Sequence, residues 1–270
     1  MRFIKHRDIE MLSFESLDSF DDIFNFVTTR NGAIDGDPYS SFNLGMHSGE
    51  AVDKVLEHQE TLRKTIGIAS GRFILPRQIH GNGVAVIDET FLGLSSDGRK
   101  NAVSRADALI TNIPMVCIGI TTADCVPVLL FDPVKKAVGV AHAGWRGTVQ
   151  HIVSATVYNM VVRFGTSPAD IYAAIGPSIG QEQFEVGDEV YEAFRDAYTE
   201  IERLSMRHPV TGKYHIDLWE ANRADLYDAG ILSEHIEVAG LCTRTRNDLF
   251  FSARDLGVKS GRFISGIYLK

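Results

Sequence analysis

Hydrophobic and polar positions follow one another along this chain in patterns that predict both strands and helices. Between residues 108 and 142 three apolar runs rich in valine and isoleucine, ALITN, VCIGITT and VPVLLFDPVKKAVGVAH, are separated by short polar breaks. Such runs predict strands, and the DPVKK turn within the third predicts a β-hairpin. FILPRQIHGNGVAVID alternates around a Gly-Asn-Gly turn, which predicts a strand, a turn that carries His80, and another strand.

Other segments have apolar residues at helical spacing. AVDKVLEHQETLRKTIG predicts a helix that stops at Gly67, and the apolar rows after Gly147 predict a long helix with Thr148 as its N-cap. VGDEVYEAFRDAYTEI predicts a third helix, and LWEANRADLYDAG a fourth, between Asp217 and Gly230. Helices placed between strands and hairpins indicate an α+β fold with a mixed or antiparallel sheet. Without an internal repeat or linker, residues 1–270 are expected to form one domain.

Composition excludes several classes of protein. With 270 residues and 44% hydrophobic content the chain can bury a sizeable core. Its net charge of -8 argues against a broad basic surface for nucleic acid or an anionic membrane. No segment approaches the roughly 18 apolar residues of a membrane span, and three scattered cysteines fit a reducing compartment. A cytoplasmic protein is expected.

The ends of the predicted hairpin carry a thiol and an imidazole. Pairing of Phe131 with Ala137 would set Cys125 opposite Ala143, and a slip by one residue would set it opposite His142. Directly opposed residues have Cβ atoms about 4.5 to 5.5 Å apart, which suits ligands that share one metal ion. The simpler interpretation is a small buried cysteine and a structural histidine at a strand end.

A metal site would need a further ligand, because catalytic zinc usually has three protein ligands and one open position. His80, at a strand end before two glycines, is the third candidate. Two rival hypotheses remain at this point. Cys125 could be a thiolate nucleophile activated by His142, or the metal could be copper. Nine mostly isolated histidines are too few for the several copper ions of a multicopper oxidase.

Two segments predict anion binding. AGWRGT follows His142 at the expected start of the long helix, where backbone amides, glycines and Arg146 would cradle a phosphate. The C-terminal segment concentrates arginines in an acidic chain, and at least one of them is expected to bind an anionic ligand. These arginines are Arg244, Arg246, Arg254 and Arg262.

Several blocks together resemble the laccase-domain (YfiH-like) proteins, first called multicopper polyphenol oxidases and now regarded as purine nucleoside phosphorylases with adenosine deaminase activity. The resemblance covers nearly the whole chain. It is carried by PYSSFNLG, RQIHG, ADALIT, TTADCVPVLLFDP, VAHAGWRGT, AAIGPSIG with FEVG, and the closing CT and LFFSARDLGVKSGRF. The family's terminal block often reads S-x-R-R-x-G, whereas here Asp255 stands in place of the second arginine.

The resemblance implies an α+β fold with packed sheets and helices outside, and a single catalytic zinc bound by His80, Cys125 and His142. It implies that adenosine, inosine, guanosine and 5'-methylthioadenosine react with phosphate to give base and sugar 1-phosphate, and that adenosine is also deaminated. Asp124 is then expected to orient a ligand or accept a proton. Arg146, Arg254 or Arg262 would bind phosphate, and Tyr39, Ser40 and Asn43 are candidate contacts to ribose or base.

Overall fold

The computed structural model describes residues 1–6, 9–30, 37–39 and 42–270, and their strands and helices are numbered in chain order. The strands are β1 Arg2–His6, β2 Ile9–Ser13, β3 Ile23–Thr28, β4 Phe73–Ile74, β5 Val84–Val86, β6 Ala108–Thr111, β7 Cys117–Thr122, β8 Val126–Asp132, β9 Ala137–Ala143, β10 Tyr172–Ile175, β11 Glu185–Val186, β12 Ser205–Arg207, β13 Tyr214–Ile216, β14 Ile236–Val238 and β15 Phe263–Leu269. The helices are α1 Glu15–Asp18, α2 Val52–Thr65, α3 Glu89–Gly93, α4 Ser96–Ala102, α5 Trp145–Thr148, α6 Ile152–Phe164, α7 Asp188–Ala197, α8 Ile201–Leu204, α9 Leu218–Asp228 and α10 Ala253–Leu256.

The strands form two six-stranded sheets and one small sheet. The first sheet has the order β1-β2-β3-β15-β7-β4, the second has the order β14-β10-β8-β9-β6-β5, and the small sheet has the order β11-β13-β12. Most neighbours are antiparallel, and the parallel pairs β4–β7, β5–β6 and β10–β14 lie at the sheet edges. The predicted α+β fold with mixed sheets is therefore confirmed.

The two large sheets pack face to face with helices outside them. Leu129 and Phe131 of β8 join Ile118 of β7 and Phe263 of β15 in one apolar cluster, which is the core between the sheets. Alternate residues of β8 face the other way, into a second cluster with α6, α7 and α9. A third cluster places Leu62 of α2 on the outer face of the first sheet. Strands β8 and β9 are thus buried on both faces, which explains why their sequence is almost continuously apolar.

The register of the central hairpin differs from the predicted one. Asp132 pairs with Ala137, so the turn has four residues and the predicted pairing of Phe131 with Ala137 is wrong by one position. The cause lies in the turn, where Oδ1 of Asp132 accepts hydrogen bonds from the amides of Val134 (2.7 Å) and Lys135 (2.9 Å). An aspartate that bonds its own following backbone in this way fixes the turn and hence the pairing.

The predicted helices are present, with one correction near Thr148. Asp217 caps α9 by accepting a hydrogen bond from the amide of Glu220 (2.9 Å), and Gly230 follows that helix at a φ of 97°. Thr148, by contrast, is not an N-cap, because it is the last residue of the separate helix α5, Trp145–Thr148. The long helix α6 begins after His151, whose left-handed φ of 54° separates the two helices. Among the helices described, none has both the length and the apolar character needed to cross a membrane.

Candidate metal centre

The hairpin places Cys125 and His142 on one face of the second sheet. Cys125 directly precedes β8, and His142 of β9 lies opposite Pro127. Cys125 and His142 are therefore diagonal neighbours rather than directly opposed, so the predicted face-to-face pairing is wrong. Because side chains alternate between faces, this even offset still points both side chains the same way.

His80 joins this pair, so the structure brings together the three residues that the sequence nominated. The ligand atoms of His80, Cys125 and His142 all lie within 4.8 Å of one another. The two imidazole rings are 4.8 Å apart between centroids and inclined by 77°. His142 is buried, Cys125 is half-buried and His80 is exposed. The group therefore opens to solvent on the side of His80.

The donor set fits a single metal ion. Bonds of roughly 2.0 to 2.3 Å place two ligand atoms of a tetrahedral ion about 3.3 to 3.8 Å apart, somewhat closer than the limit observed here. One thiolate and two imidazoles suit zinc or copper better than the oxygen-seeking magnesium or calcium. In the described part of the chain, no other group of three or more His, Cys, Asp or Glu side chains could hold an ion. This group could hold one metal ion.

Two tethers hold the segment that carries His80, whose φ of 62° lies in the left-handed region. On one side, Oε1 of Gln78 accepts hydrogen bonds from the amide and the hydroxyl of Thr121 (both 2.9 Å), and Nε2 of Gln78 donates to the Thr121 carbonyl (2.8 Å). On the other side, the amide of His80 donates to Oδ1 of Asp107 (2.9 Å). A strained backbone persists only where its surroundings hold it in this way.

Asp107 is the residue that sequence reasoning missed. It is fully buried just before β6, and its Oδ1 lies 2.8 Å from Nδ1 of His142. Burial raises the pKa of Asp107, but the hydrogen bond from His142 and those from the amides of Gly81 and Ile79 outweigh that effect, so its pKa is lowered. The only signal in the sequence was a charged residue at the head of an apolar strand.

Glycines allow the close approach at the centre. A Cβ added to Gly144 would lie 3.0 Å from Sγ of Cys125 and 3.0 Å from Cδ2 of His80. A Cβ added to Gly147 would lie 3.1 Å from the carbonyl oxygen of Gly81. The glycines of AGWRGT therefore leave room for the ligand side chains and for the segment that carries His80.

The electrostatics of the centre favour a thiolate. Burial raises the pKa of the Cys125 thiol. The charge of His142 and the hydrogen bonds with His142 and His80 outweigh burial and lower the pKa to about 6. Burial lowers the pKa of His142, but the thiolate of Cys125 and the carboxylate of Asp107 raise it to about 9. Without a metal the pair therefore holds a negative sulfur beside a positive imidazole, and a cation can replace the proton.

Asp124 anchors the strand end that presents Cys125. Its Oδ1 accepts a hydrogen bond from the hydroxyl of Thr243 (2.6 Å), its Oδ2 accepts one from the amide of Arg254 (2.7 Å), and its carbonyl accepts one from the amide of Ile179 (2.9 Å). Its φ of 84° is left-handed. Asp124 thus ties Cys125 to three distant segments, and both of its carboxylate oxygens already accept hydrogen bonds.

The charge of Cys125 also acts on a half-buried arginine, Arg262. Its guanidinium donates to the carbonyls of Ser260 (2.7 Å) and Gly261 (2.8 Å), which are neutral partners. Burial lowers the pKa of Arg262, whereas the charges of Cys125 and Asp124 act in the opposite direction. Arg262 is thus a half-buried cation whose pKa is affected by the charges of Cys125 and Asp124.

Asn43 lies beneath Arg262 and supports it. Asn43 is fully buried, and its Oδ1 accepts hydrogen bonds from the amides of Arg262 (2.8 Å) and Gly45 (2.9 Å). Its Nδ2 donates to Oγ of Ser48 (2.7 Å) and to Oε2 of Glu50 (2.9 Å). All polar positions of this side-chain amide are engaged, so Asn43 presents no free group to a ligand.

The other predicted contacts lie around this centre or outside the described residues. Arg146 is exposed, with its guanidinium carbon 4.2 Å from the ring centroid of Trp145. Arg254 is also exposed, and its Nη1 donates to the carbonyl of Glu185 (3.0 Å). Tyr39 donates its hydroxyl to the carbonyl of Ser48 (3.2 Å). Ser40 lies outside the residues that the structure describes.

Comparison with known protein families shows the family to which the chain belongs. A family profile described as "Multi-copper polyphenol oxidoreductase laccase" matches residues 24–270. The chain belongs to this family. Its members include a purine nucleoside phosphorylase of Bacteroides thetaiotaomicron, 45% identical over 263 residues that cover 97% of each chain. Another relative, adenosine deaminase RL5 of an unknown prokaryotic organism, is 45% identical over 264 residues, which cover 96% of this chain and all of the relative.

Solved structures of this laccase-like family have the same fold. The YfiH protein of Bacillus licheniformis superposes with a TM-score of 0.88 at 32% identity, covering 99% of both chains. YlmD of Geobacillus stearothermophilus superposes with a TM-score of 0.87 at 30% identity, covering 99% of this chain and 98% of the other. With relatives of such identity named as enzymes over nearly the full length, the present family member is an enzyme as well.

Proposed function

We propose that the protein is a zinc-dependent purine nucleoside phosphorylase that also deaminates adenosine. Its substrates would be adenosine, inosine, guanosine and 5'-methylthioadenosine, with phosphate as the second substrate. The observation that carries the proposal is the convergence of His80, Cys125 and His142 on one position beside solvent. The names of the relatives at 45% identity support the nucleoside chemistry.

Zinc is the ion that best suits this chemistry. Neither phosphorolysis nor deamination needs a change of oxidation state, and zinc is redox-inert. Zinc with three protein ligands supplies a Lewis acid that lowers the pKa of a bound water to roughly 7. Among the described residues a single group of three donors could hold an ion, which argues against multicopper chemistry because that chemistry needs several metal ions. Cys125 would bind as the thiolate that its neighbours already favour.

Arg262 would bind the phosphate. A guanidinium presents paired N–H donors that match phosphate oxygens, and that of Arg262 is bonded to backbone carbonyls rather than to a carboxylate. Binding of Cys125 to a cation would remove one of the negative charges near Arg262. The positive charge of Arg262 would then be less fully compensated, and it would favour binding of a dianion such as phosphate beside it. Arg146 and Arg254, both exposed, are alternative contacts at the rim.

Turnover of inosine tests this proposal. Purified protein with inosine and phosphate should yield hypoxanthine and ribose 1-phosphate in equal amounts, and adenosine should yield inosine. Alanine at His80, Cys125 or His142 should abolish both reactions and reduce the zinc content measured by elemental analysis. His6→Ala, on the edge strand β1, is the control and should change neither. Full activity of a metal-free triple variant would refute the proposal.

A second candidate function rests on the order Cys125, His142, Asp107. In a cysteine hydrolase an imidazole lies between the thiol and a carboxylate. Here Nδ1 of His142 lies 2.8 Å from Oδ1 of Asp107. This function assigns no role to His80, whereas a metal uses all three donors. A cysteine hydrolase would keep its activity in a chelator and lose it on alkylation, so the two functions give opposite results.

A further inference from the structure

Asp107 accepts hydrogen bonds from both parts of the centre. Its Oδ1 lies 2.8 Å from Nδ1 of His142 and accepts from the amide of His80 (2.9 Å). Its Oδ2 accepts from the amides of Ile79 (3.1 Å) and Gly81 (2.9 Å). One fully buried side chain thus connects a histidine ring on β9 to the three successive backbone amides of the segment that carries the other histidine.

We propose that Asp107 is the positioning residue of the metal centre, which sets the orientation of the His142 ring and the place of His80 at the same time. With Nδ1 of His142 donating to Asp107, Nε2 is the nitrogen left to face Cys125. With three amides bound to one carboxylate, the left-handed backbone of His80 is held against its intrinsic preference. The role rests on the three-ligand centre of the proposed function.

Only a carboxylate satisfies this set of donors. Three amides and an imidazole N–H converge on Asp107, and an ionised carboxylate accepts at both oxygens and donates nothing. An asparagine would turn its NH₂ group toward at least one of these donors. Its amide would therefore leave a buried N–H without an acceptor and push either the ring or the segment away.

The backbone of Asp107 strengthens the same connection. The amide of His142 donates to the Asp107 carbonyl (2.7 Å), and the amide of Asp107 donates to the carbonyl of Gly83 (2.9 Å). The backbone and side chain of Asp107 therefore both bind His142 and the glycine segment. Asp124 has no such contact, because its carboxylate binds Thr243 and Arg254 on the side of Cys125. The two aspartates position different ligands.

Zinc affinity measured by competition with a chromophoric chelator tests this role. Asp107→Asn should bind zinc roughly 10- to 100-fold more weakly than wild type, the usual effect of removing a carboxylate behind a histidine ligand. Asp132→Asn is a matched control, because Asp132 is also fully buried and accepts from successive amides, at the opposite end of the hairpin. This variant should lose stability and keep its zinc affinity.

A folded Asp107→Asn protein with the zinc affinity of wild type would overturn the role, as would equal losses in both variants. Wild type that binds no zinc would overturn it together with the proposed metal. The zinc affinities are measured without nucleoside. A protein that binds zinc but does not catalyse phosphorolysis would therefore contradict the proposed activity and still test the role of Asp107.

A measurement on the wild-type protein covers the case in which Asp107→Asn does not fold. In zinc-loaded protein labelled with ¹⁵N, the spectrum of His142 should show a protonated Nδ1 and a metal-bound Nε2. The reverse assignment would overturn the role. Amide hydrogen exchange adds a second readout, because Ile79, His80 and Gly81 should be protected in wild type by their bonds to Asp107. Rapid exchange at all three amides would contradict it.

Discussion

Gly144 lies so close to Cys125 that a Cβ at the glycine would come within 3.0 Å of the sulfur. The same Cβ would come within 3.0 Å of Cδ2 of His80. Few real Cβ contacts are this short, so a side chain at Gly144 requires Cys125 and His80, two of the three candidate ligands, to shift by a few tenths of an ångström. The glycine is thus part of the centre although it has no side chain.

Gly144→Ala is therefore expected to weaken zinc binding by at least about tenfold, the lower end of the effect of disturbing ligand geometry. Zinc affinity by chelator competition gives the measurement. Gly93→Ala, at the end of α3, is the control, because a Cβ there meets no atom within 4 Å. Unchanged affinity in Gly144→Ala would mean that the centre tolerates a shift of both Cys125 and His80.

Metal-free protein should contain one unusually reactive thiol. Because the pKa of Cys125 is lowered to about 6, its thiolate is present above that pH and is lost as the pH falls through it. The rate of alkylation by iodoacetamide should therefore rise around pH 6 and level off near neutrality. An ordinary thiol, with a pKa of about 8.5, becomes reactive only at higher pH. Cys117 should stay unmodified, because burial raises its pKa.

The same reaction distinguishes the two candidate functions. Zinc should protect Cys125 from iodoacetamide, and a chelator should restore the reaction, as followed by mass spectrometry of the modified peptide. His142→Ala should move the pH profile upward, because the charge of His142 is the chief cause that lowers the pKa. Equal rates with and without zinc would favour the cysteine hydrolase.

Arg262 should control the use of phosphate. Arg262→Met removes charge-assisted hydrogen bonds worth about 1.5 to 3 kcal/mol each, so KM for phosphate should rise roughly tenfold or more. Arg262→Lys keeps the charge without the paired donors, so its KM for phosphate should lie between those of wild type and Arg262→Met. Arg146→Met, at an exposed position over Trp145, should have the smaller effect. The opposite order would assign the phosphate to the segment of α5.

Asp124 should matter through the backbone that it holds. Glycine and asparagine both tolerate its φ of 84°. Asp124→Gly loses the bonds to Thr243 and Arg254, whereas Asp124→Asn keeps one acceptor. We expect urea unfolding to show that the free energy of unfolding falls by about 1 to 3 kcal/mol in Asp124→Gly and by less in Asp124→Asn. If Asp124 were instead a proton acceptor in catalysis, asparagine would abolish turnover and leave stability almost unchanged.

The sequence predicted the elements better than their connections. The strands on either side of Asp132 followed from apolar runs, and helix α9 followed from Asp217 and Gly230, because these signals are local. The hairpin register was missed by one residue, since hydrogen bonds from Val134 and Lys135 to the Asp132 side chain shortened the turn.

The sequence predicted the three candidate ligands that the structure brings together, and no further part of the candidate site. A thiol and imidazoles stand out in a chain with few of either, and a resemblance across several blocks pointed to the same three residues. Asp107 was missed because its partners at residues 79–81 come close only after β5 and β6 have paired. Asn43 was expected to contact substrate, and its burial under Arg262 depends on packing between distant segments.

The position of the hairpin determines how an ion can be exchanged. Cys125 and His142 adjoin or lie in strands that are buried on both faces, so they move together with the second sheet and cannot separate without opening the core. His80 is exposed and lies on a short segment between the two sheets. We therefore expect an ion bound at this centre to enter and leave past His80, and its exchange to be slowed by the hydrogen bonds that hold the amides of residues 79–81 to Asp107.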